Sequence, residues 1–233
     1  MTNAYVFSFE GLDNCGKTTQ IDLASSYLRD KGVEFIVECE PGATAFGGAL
    51  RMLLKHPETT YRALNTILGG HADFKNLDLV EKKNSLSELF GFLAARAEFV
   101  DKIVAPAIAS GTTVLTDRHV DSTTTYQGFG LFEGDEAMLS LINLSHNSIW
   151  AGRSNLKPVK TFVLDIPYEV MVARAGSNQA DFIESRGKGF FDRVRAGYAF
   201  VEEQDSGRVV TIDGTLQPRE VFGKIKKHLD DLF

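Results

Sequence analysis

A short run of strand-forming residues, Tyr5-Val6-Phe7-Ser8-Phe9-Glu10, leads straight into Gly11-Leu12-Asp13-Asn14-Cys15-Gly16-Lys17-Thr18. This is the spacing G-x-x-x-x-G-K-[ST], and a helical pattern follows at once. Glycines at 11 and 16 permit a tight loop whose successive N–H groups point inward as an anion nest. The helix behind the loop adds its positive N-terminal end. Lys17 supplies a mobile cation for the outer phosphates of a nucleotide, and Thr18 a hydroxyl ligand for Mg2+. At average residue usage the bare pattern arises by chance on the order of once in a hundred chains of this length. The strand before it and the helix after it lower that figure. Taken alone, the loop does not separate a kinase from a switch or a motor.

The rest of the chain alternates strands and helices. Lys17 to Lys31 reads as a helix with Ile21, Leu23, Ala24 and Leu28 inward and Gly32 as its stop. Glu34–Glu38, Thr112–Asp117, Thr161–Asp165 and Val209–Asp213 read as further strands. Leu86 to Ser110 is a long helical pattern, with Pro106 late in it as a bend or an end. Asp135–Trp150 and Pro218–Leu232 are also helical, and Pro167 opens a helix. Such alternation predicts an α/β fold of right-handed βαβ units, with a central five-stranded parallel sheet and helices on both faces. A chain of 233 residues with 43% hydrophobic content suits one such domain. The stretch 56–84 lacks clear periodicity and reads as an insertion.

Charge and ends narrow the setting. A net charge of −6 argues against binding nucleic acid through its phosphates. No stretch approaches the roughly 18 apolar residues that span a bilayer, and the start lacks a signal-peptide pattern. Two cysteines, Cys15 and Cys39, form neither a disulfide framework nor a zinc site. The expectation is a cytoplasmic protein with no membrane and no nucleic-acid partner.

The third strand ends in Asp117-Arg118-His119. A carboxylate there is placed to associate with Mg2+, so Thr18 and Asp117 are the expected metal ligands. Arg118 would offset charge on a transferring phosphoryl group. A simple strand-end ion pair is an equal reading of these residues on their own.

A longer set of motifs now stands in order: Phe9-Glu10-Gly11-Leu12-Asp13 through Thr18-Thr19-Gln20, Glu40-Pro41-Gly42-Ala43-Thr44, Phe92-Leu93-Ala94-Ala95-Arg96, Asp117-Arg118-His119-Val120-Asp121-Ser122, and Tyr126-Gln127-Gly128. Together they closely resemble thymidylate kinase, a family of P-loop nucleoside monophosphate kinases. The resemblance runs from about Tyr5 to the C-terminal helix and weakens at 56–84 and 175–189. It implies a P-loop NTPase three-layer sandwich, ATP and Mg2+ as cofactors, phosphorylation of dTMP to dTDP, and a homodimer. It implies an ATP site of Gly11, Leu12, Asp13, Asn14, Cys15, Gly16, Lys17, Thr18 and Thr19. For the acceptor it implies Phe92 stacked on the base and Arg96 bonded to it; these two share a helix face. Arg51 and Arg118 would hold the acceptor phosphate. Glu40, Ser122, Thr123, Tyr126 and Gln127 would complete the site, and Asp13 would lie near the acceptor.

One departure stands out. Where many members carry a lid arginine before Ile-Glu, this chain has Asp181-Phe182-Ile183-Glu184. Arg174, Arg186 and Lys188 are the candidate replacements, and Arg186, in the glycine-flanked lid 175–189, is favoured. The expected catalytic set is therefore Lys17, Arg118, Asp13 and Arg186. Two rival readings remain at this point. One is a kinase for a modified deoxyuridylate or another pyrimidine deoxynucleotide. The other is a nucleotide-binding regulatory protein without turnover, although no guanine-reading N-K-x-D is present.

Overall fold

A computed structural model describes residues 4–69, 84–176 and 181–233. Five strands form one parallel sheet: β1 (Val6–Gly11), β2 (Phe35–Cys39), β3 (Thr113–Asp117), β4 (Lys160–Asp165) and β5 (Val209–Asp213). Their spatial order is β2-β3-β1-β4-β5. β1 is the central strand, paired with β3 on one side and β4 on the other. Every residue of β1 is buried, which explains its nearly continuous apolar sequence. Successive strand residues face opposite sides of a sheet. Phe7 and Phe9 accordingly join Phe162, Ile21, Leu28, Ile225 and Leu229 in one core. Val6 joins Val114, Phe99, Val100, Val104 and Trp150 in another. Ser8 and Glu10 share a face, and Ser8 Oγ donates to Glu10 Oε1 at 3.1 Å.

The helices follow the strands in turn. α1 (Lys17–Asp30) leaves the cradle loop, and α2 (Ala45–Lys55) and α3 (Pro57–Ile67) follow β2. α4 (Ser85–Phe99) runs on through a π-helical turn, Val100–Val104, into α5 (Ala105–Ala109). After β3 come the short α6 (Val120–Ser122) and a π-helical stretch, Thr123–Leu131, then α7 (Glu136–Trp150). α8 (Tyr168–Ala175), α9 (Lys188–Gln204) and α10 (Pro218–Asp230) complete the set.

Two sequence expectations change here. Pro106 neither ends nor breaks the helix. The π turn before it lets the Ala105 N–H reach back to Val100 O, so the chain passes the missing donor of Pro106 without stopping. The first part of the 56–84 segment is the helix α3, opened by Pro57. No residue of α3 is buried, and its three threonines, Tyr61, Asn65 and Ile67 are weak helix formers, so the sequence marks it poorly. The remainder of that segment, 70–83, lies outside the described residues, as does 177–180 of the expected lid.

Gly11 shows why the cradle begins where it does. Its φ is 127°, and a Cβ there would sit 2.4 Å from Leu164 O on the neighbouring strand. Backbone cannot yield as a flexible side chain would. Gly11→Ala is therefore expected to destabilise the fold by about 1–3 kcal/mol, read as a lower midpoint in denaturant titration. An unchanged midpoint would contradict the packing described.

Candidate active site

The cradle takes its shape from residues in the left-handed region: Gly11 (φ 127°), Asn14 (59°) and Gly16 (105°). Lys17 Nζ donates to Leu12 O at 3.0 Å and lies 3.8 Å from Asp117 Oδ1. Its ammonium is thus folded over the loop that phosphates would enter. Cys15 is buried, and burial pushes its thiol up against the opposing pull of Lys17 and Arg118. A neutral, covered thiol fills space and is a poor nucleophile. Arg174 of α8 braces the loop from outside, donating to Asn14 O (3.3 Å), Cys15 O (3.4 Å) and Gly214 O (3.0 Å).

The expected Mg2+ ligands fit such an ion. Asp117 Oδ1 is buried with no hydrogen-bond partner among the described residues. Thr18 is exposed at the start of α1, one residue from Lys17. A hard cation of this kind takes few protein oxygens and completes its shell with phosphates and water.

Beside the cradle, Glu10 organises the loop after β3. It is fully buried at the end of β1. Its carboxylate accepts from the His119 backbone N–H (2.6 Å), Ser122 Oγ (2.5 Å) and Tyr198 Oη (2.8 Å). Burial pushes the Glu10 carboxyl up, while Arg118 and these donors pull it back. The loop thus pinned holds Arg118 at φ 73°, a conformation that costs a non-glycine residue energy. Its guanidinium donates to Asp13 Oδ1 (3.0 Å), Tyr126 Oη (3.0 Å) and Ser122 Oγ (3.2 Å), and lies 4.6 Å from the Tyr126 ring centroid. Burial opposes ionisation of Asp13, yet Arg118, Lys17 and Lys55 together hold it well below the usual carboxylate range.

A second cavity opens on the far side of Arg118. The residues expected from the sequence to bind the acceptor all line it. Glu40 and Arg51 come from the region after β2, Phe92 and Arg96 from α4, and Arg118, Ser122, Thr123, Tyr126 and Gln127 from the segment after β3. Asp13 of the cradle closes the end nearest Lys17. Arg96 and Glu40 form a buried ion pair. Burial pushes the Glu40 carboxyl up to about 7 against the pull of Arg96. Arg96 Nη1 is buried without a hydrogen-bond partner among the described residues, a donor left for whatever enters. Arg51 Nη1 donates to Pro41 O at 3.0 Å.

Arg186, the expected lid cation, is paired with a buried carboxylate. Its guanidinium makes two bonds to Glu88 of α4, at 3.1 and 2.6 Å, and lies near the Phe182 and Phe190 rings. Glu88 is 1% exposed, and a carboxylate so buried draws in the nearest cation. Gln127 donates to the same carboxylate at 3.3 Å. Lys188 is exposed and paired with Glu169 and Asp192.

Several residues of this site escaped the sequence reading. Glu10 lay inside a quoted motif with no role given to it. Glu88 is three residues before Gly91-Phe92 with only helical spacing to mark it. Lys55 and Ile183 line the acceptor cavity, and no motif contains Lys55. Lys55 stands four residues beyond Arg51 on α2, a spacing that places both on one face.

A nest for phosphates, a cation folded over it, and a second cavity reached past a shared arginine define a phosphotransferase between two anionic nucleotides. That is a P-loop nucleoside monophosphate kinase. The family profile for thymidylate kinase matches residues 9–225. The thymidylate kinase of Fervidobacterium nodosum is 32% identical over 220 residues, covering 94% of this chain and 95% of that protein. The thymidylate kinase of Desulfovibrio desulfuricans is 34% identical over 222 residues, covering 92% and 89%. The crystal structure of thymidylate kinase from Ehrlichia chaffeensis superposes with a TM-score of 0.68 at 27% identity, covering 98% of this chain and 99% of that one. The chain belongs to the thymidylate kinase family. Among the described residues no helix is long and apolar enough to cross a membrane.

Lys17→Ala is expected to melt close to the wild-type temperature while phosphoryl transfer falls by about 10²–10³-fold, the usual cost of one aimed charge-stabilising donor. Turnover near wild type in the folded variant would contradict the geometry of the cradle.

Proposed function

We propose that the protein transfers the γ-phosphoryl group of ATP to dTMP, giving dTDP and ADP, with Mg2+ required. The observation that carries this reading is the position of Arg118, bonded to Asp13 of the cradle and lining the acceptor cavity. The described elements form one kinase domain around one sheet. ATP phosphates would occupy the Gly11–Thr19 loop, with Thr18 and Asp117 holding Mg2+. When bound, that ion neutralises charge on the phosphates it touches.

The chain's own residues do the remaining work. Two anions must approach each other, so alignment and neutralisation matter more than a strong base. The acceptor oxygen is already ionised at pH 7 and needs no proton removed. Lys17 folds onto the donor phosphates, Arg118 faces both sites, and Arg51 reaches the acceptor phosphate. Asp13, kept ionised by its cationic neighbours, orients Arg118 rather than taking a proton. Phe92 offers its ring face and Arg96 its unpartnered Nη1 to the thymine. Glu40 fixes Arg96, while Ser122, Thr123, Tyr126 and Gln127 shape the sugar and base wall. Arg186, through Glu88, holds the lid turn against the base end and serves catalysis by positioning.

The proposed assembly draws on exposed apolar side chains. Phe46 and Met52 on α2, Leu86 and Phe90 on α4, and Leu144 on α7 are exposed large apolar side chains. α2 packs on α4 and α4 on α7, so they lie on neighbouring helices. Apolar surface of this kind suits a partner, and a homodimer through these helices is the proposed assembly. Two free cysteines suit the proposed cytoplasmic setting.

The test is ADP release with ATP, Mg2+ and either dTMP or thymidine. Release with dTMP and little with thymidine is expected, because the cavity cations need a phosphate. Equal use of thymidine, or no release with dTMP, would overturn the reading.

A further inference from the structure

The acceptor cavity contains more positive charge than its named residues explain. Its wall carries four cations, Arg51, Lys55, Arg96 and Arg118, and two carboxylates, Asp13 and Glu40. Arg96 is paired with Glu40, and Arg118 with Asp13. That leaves Arg51, whose Nη1 bonds a neutral carbonyl, and Lys55, whose partner Asp181 lies outside the wall. A monophosphate is close to a dianion at neutral pH, more charge than Arg51 alone would balance.

Lys55 is the last residue of α2, one turn beyond Arg51 and on the same face. Its side chain is 15% exposed, so it is not a solvated surface lysine. Its charge is close enough to Asp13 to help hold that carboxyl down. Nζ lies 2.7 Å from Asp181 Oδ2, on the turn that carries Ile183 into the cavity wall. Asp181 itself lies outside that wall.

We propose that Lys55 is a phosphate-binding residue of the acceptor site, acting beside Arg51 and Arg118 while it tethers the 181–186 turn. The proposal rests on the reading of this cavity as the site of a phosphorylated acceptor. An ammonium carries three N–H donors, and Asp181 takes one of them. Asp181 does not depend on Lys55 for its place. Its Oδ1 accepts from the backbone N–H groups of Ile183 (2.8 Å) and Glu184 (2.9 Å). The turn has a second tie to α2, since Phe182 N–H donates to Lys55 O at 3.1 Å. The ammonium thus turns toward an incoming phosphate with the turn still attached. This places a cation at the phosphoryl group from α2, in a chain whose lid presents Phe182 rather than a basic residue at position 182.

The experiment is steady-state kinetics with ATP and dTMP for wild type, Lys55→Met, Lys55→Arg and Asp181→Asn, each with its melting temperature. Lys55→Met is expected to lower kcat/KM for dTMP by about tenfold or more, as befits a lost charge-assisted bond, with KM for ATP within about twofold. Lys55→Arg should recover most of the loss. Asp181→Asn removes the ion pair but keeps the ammonium, and should leave KM for dTMP near wild type. Two results overturn the proposal: Lys55→Met with an unchanged kcat/KM for dTMP, or Asp181→Asn reproducing the Lys55→Met defect, which would make Lys55 a tether alone. If Lys55→Met melts early, the contrast between Lys55→Arg and Asp181→Asn decides in the same way. Wild type inactive with dTMP would instead overturn the acceptor assignment. Thermal stabilisation by sulfate, expected in wild type and reduced in Lys55→Met, then decides Lys55 independently, and equal stabilisation overturns it.

Discussion

The site depends on one buried carboxylate. Glu10 ends the central strand with no exposure to solvent, where an unpaired charge is costly. Besides Ser8 of its own strand, it draws two separate segments onto itself: the one after β3, through the His119 N–H and the Ser122 hydroxyl, and α9, through the Tyr198 hydroxyl. Those contacts bring β1, the segment after β3, and α9 to one point. Arg118 is adjacent to the pinned His119 and inherits its orientation. The energy stored at φ 73° is offset by what holds it there, the Glu10 contacts behind and Asp13, Tyr126 and Ser122 in front. The proposed donor and acceptor sites therefore meet at an arginine held on several sides.

A second theme is that the cavity's charges are nearly all committed before any ligand is considered. Arg96 is held by Glu40, Arg118 by Asp13, Arg186 by Glu88 and Lys55 by Asp181. Such pairs add little net stability when buried, since desolvation offsets attraction. Their value is preorganisation. Each cation is already oriented, so little entropy is lost when an anionic nucleotide arrives. The low overall charge is compatible with this arrangement, because the cations are concentrated where two phosphorylated groups would face each other.

What was legible in the sequence is what local spacing encodes. The cradle is eight consecutive residues, so its glycines, Lys17 and Thr18 declare themselves together. Phe92 and Arg96 are one helical turn apart, and Asp117-Arg118 closes a strand. The five strands announced themselves because each is a short run rich in β-branched and aromatic residues. α3 did not, being short and rich in threonine and other weak helix formers. The long-range ties were hidden for a different reason. Arg186 and Glu88 are 98 residues apart, and Glu10 and Tyr198 are 188 apart. No spacing rule joins them; only the packing of α9 and the lid turn against α4 and β1 does. Arg186 was read as a free lid cation because the carboxylate that captures it carries no signature of its own.

The central claim is that the charge on Glu10 positions Arg118 for the acceptor. The direct measurement is the dTMP dissociation constant of Glu10→Gln against wild type by calorimetry, with ATP affinity and melting temperature measured alongside. Gln keeps the shape and removes the charge that Ser122, Tyr198 and the His119 N–H bond to. The account predicts that dTMP binding weakens by about tenfold or more, the size expected for lost charge-assisted hydrogen bonds, while ATP affinity stays within about twofold. Unchanged dTMP affinity in a folded Glu10→Gln protein would contradict it.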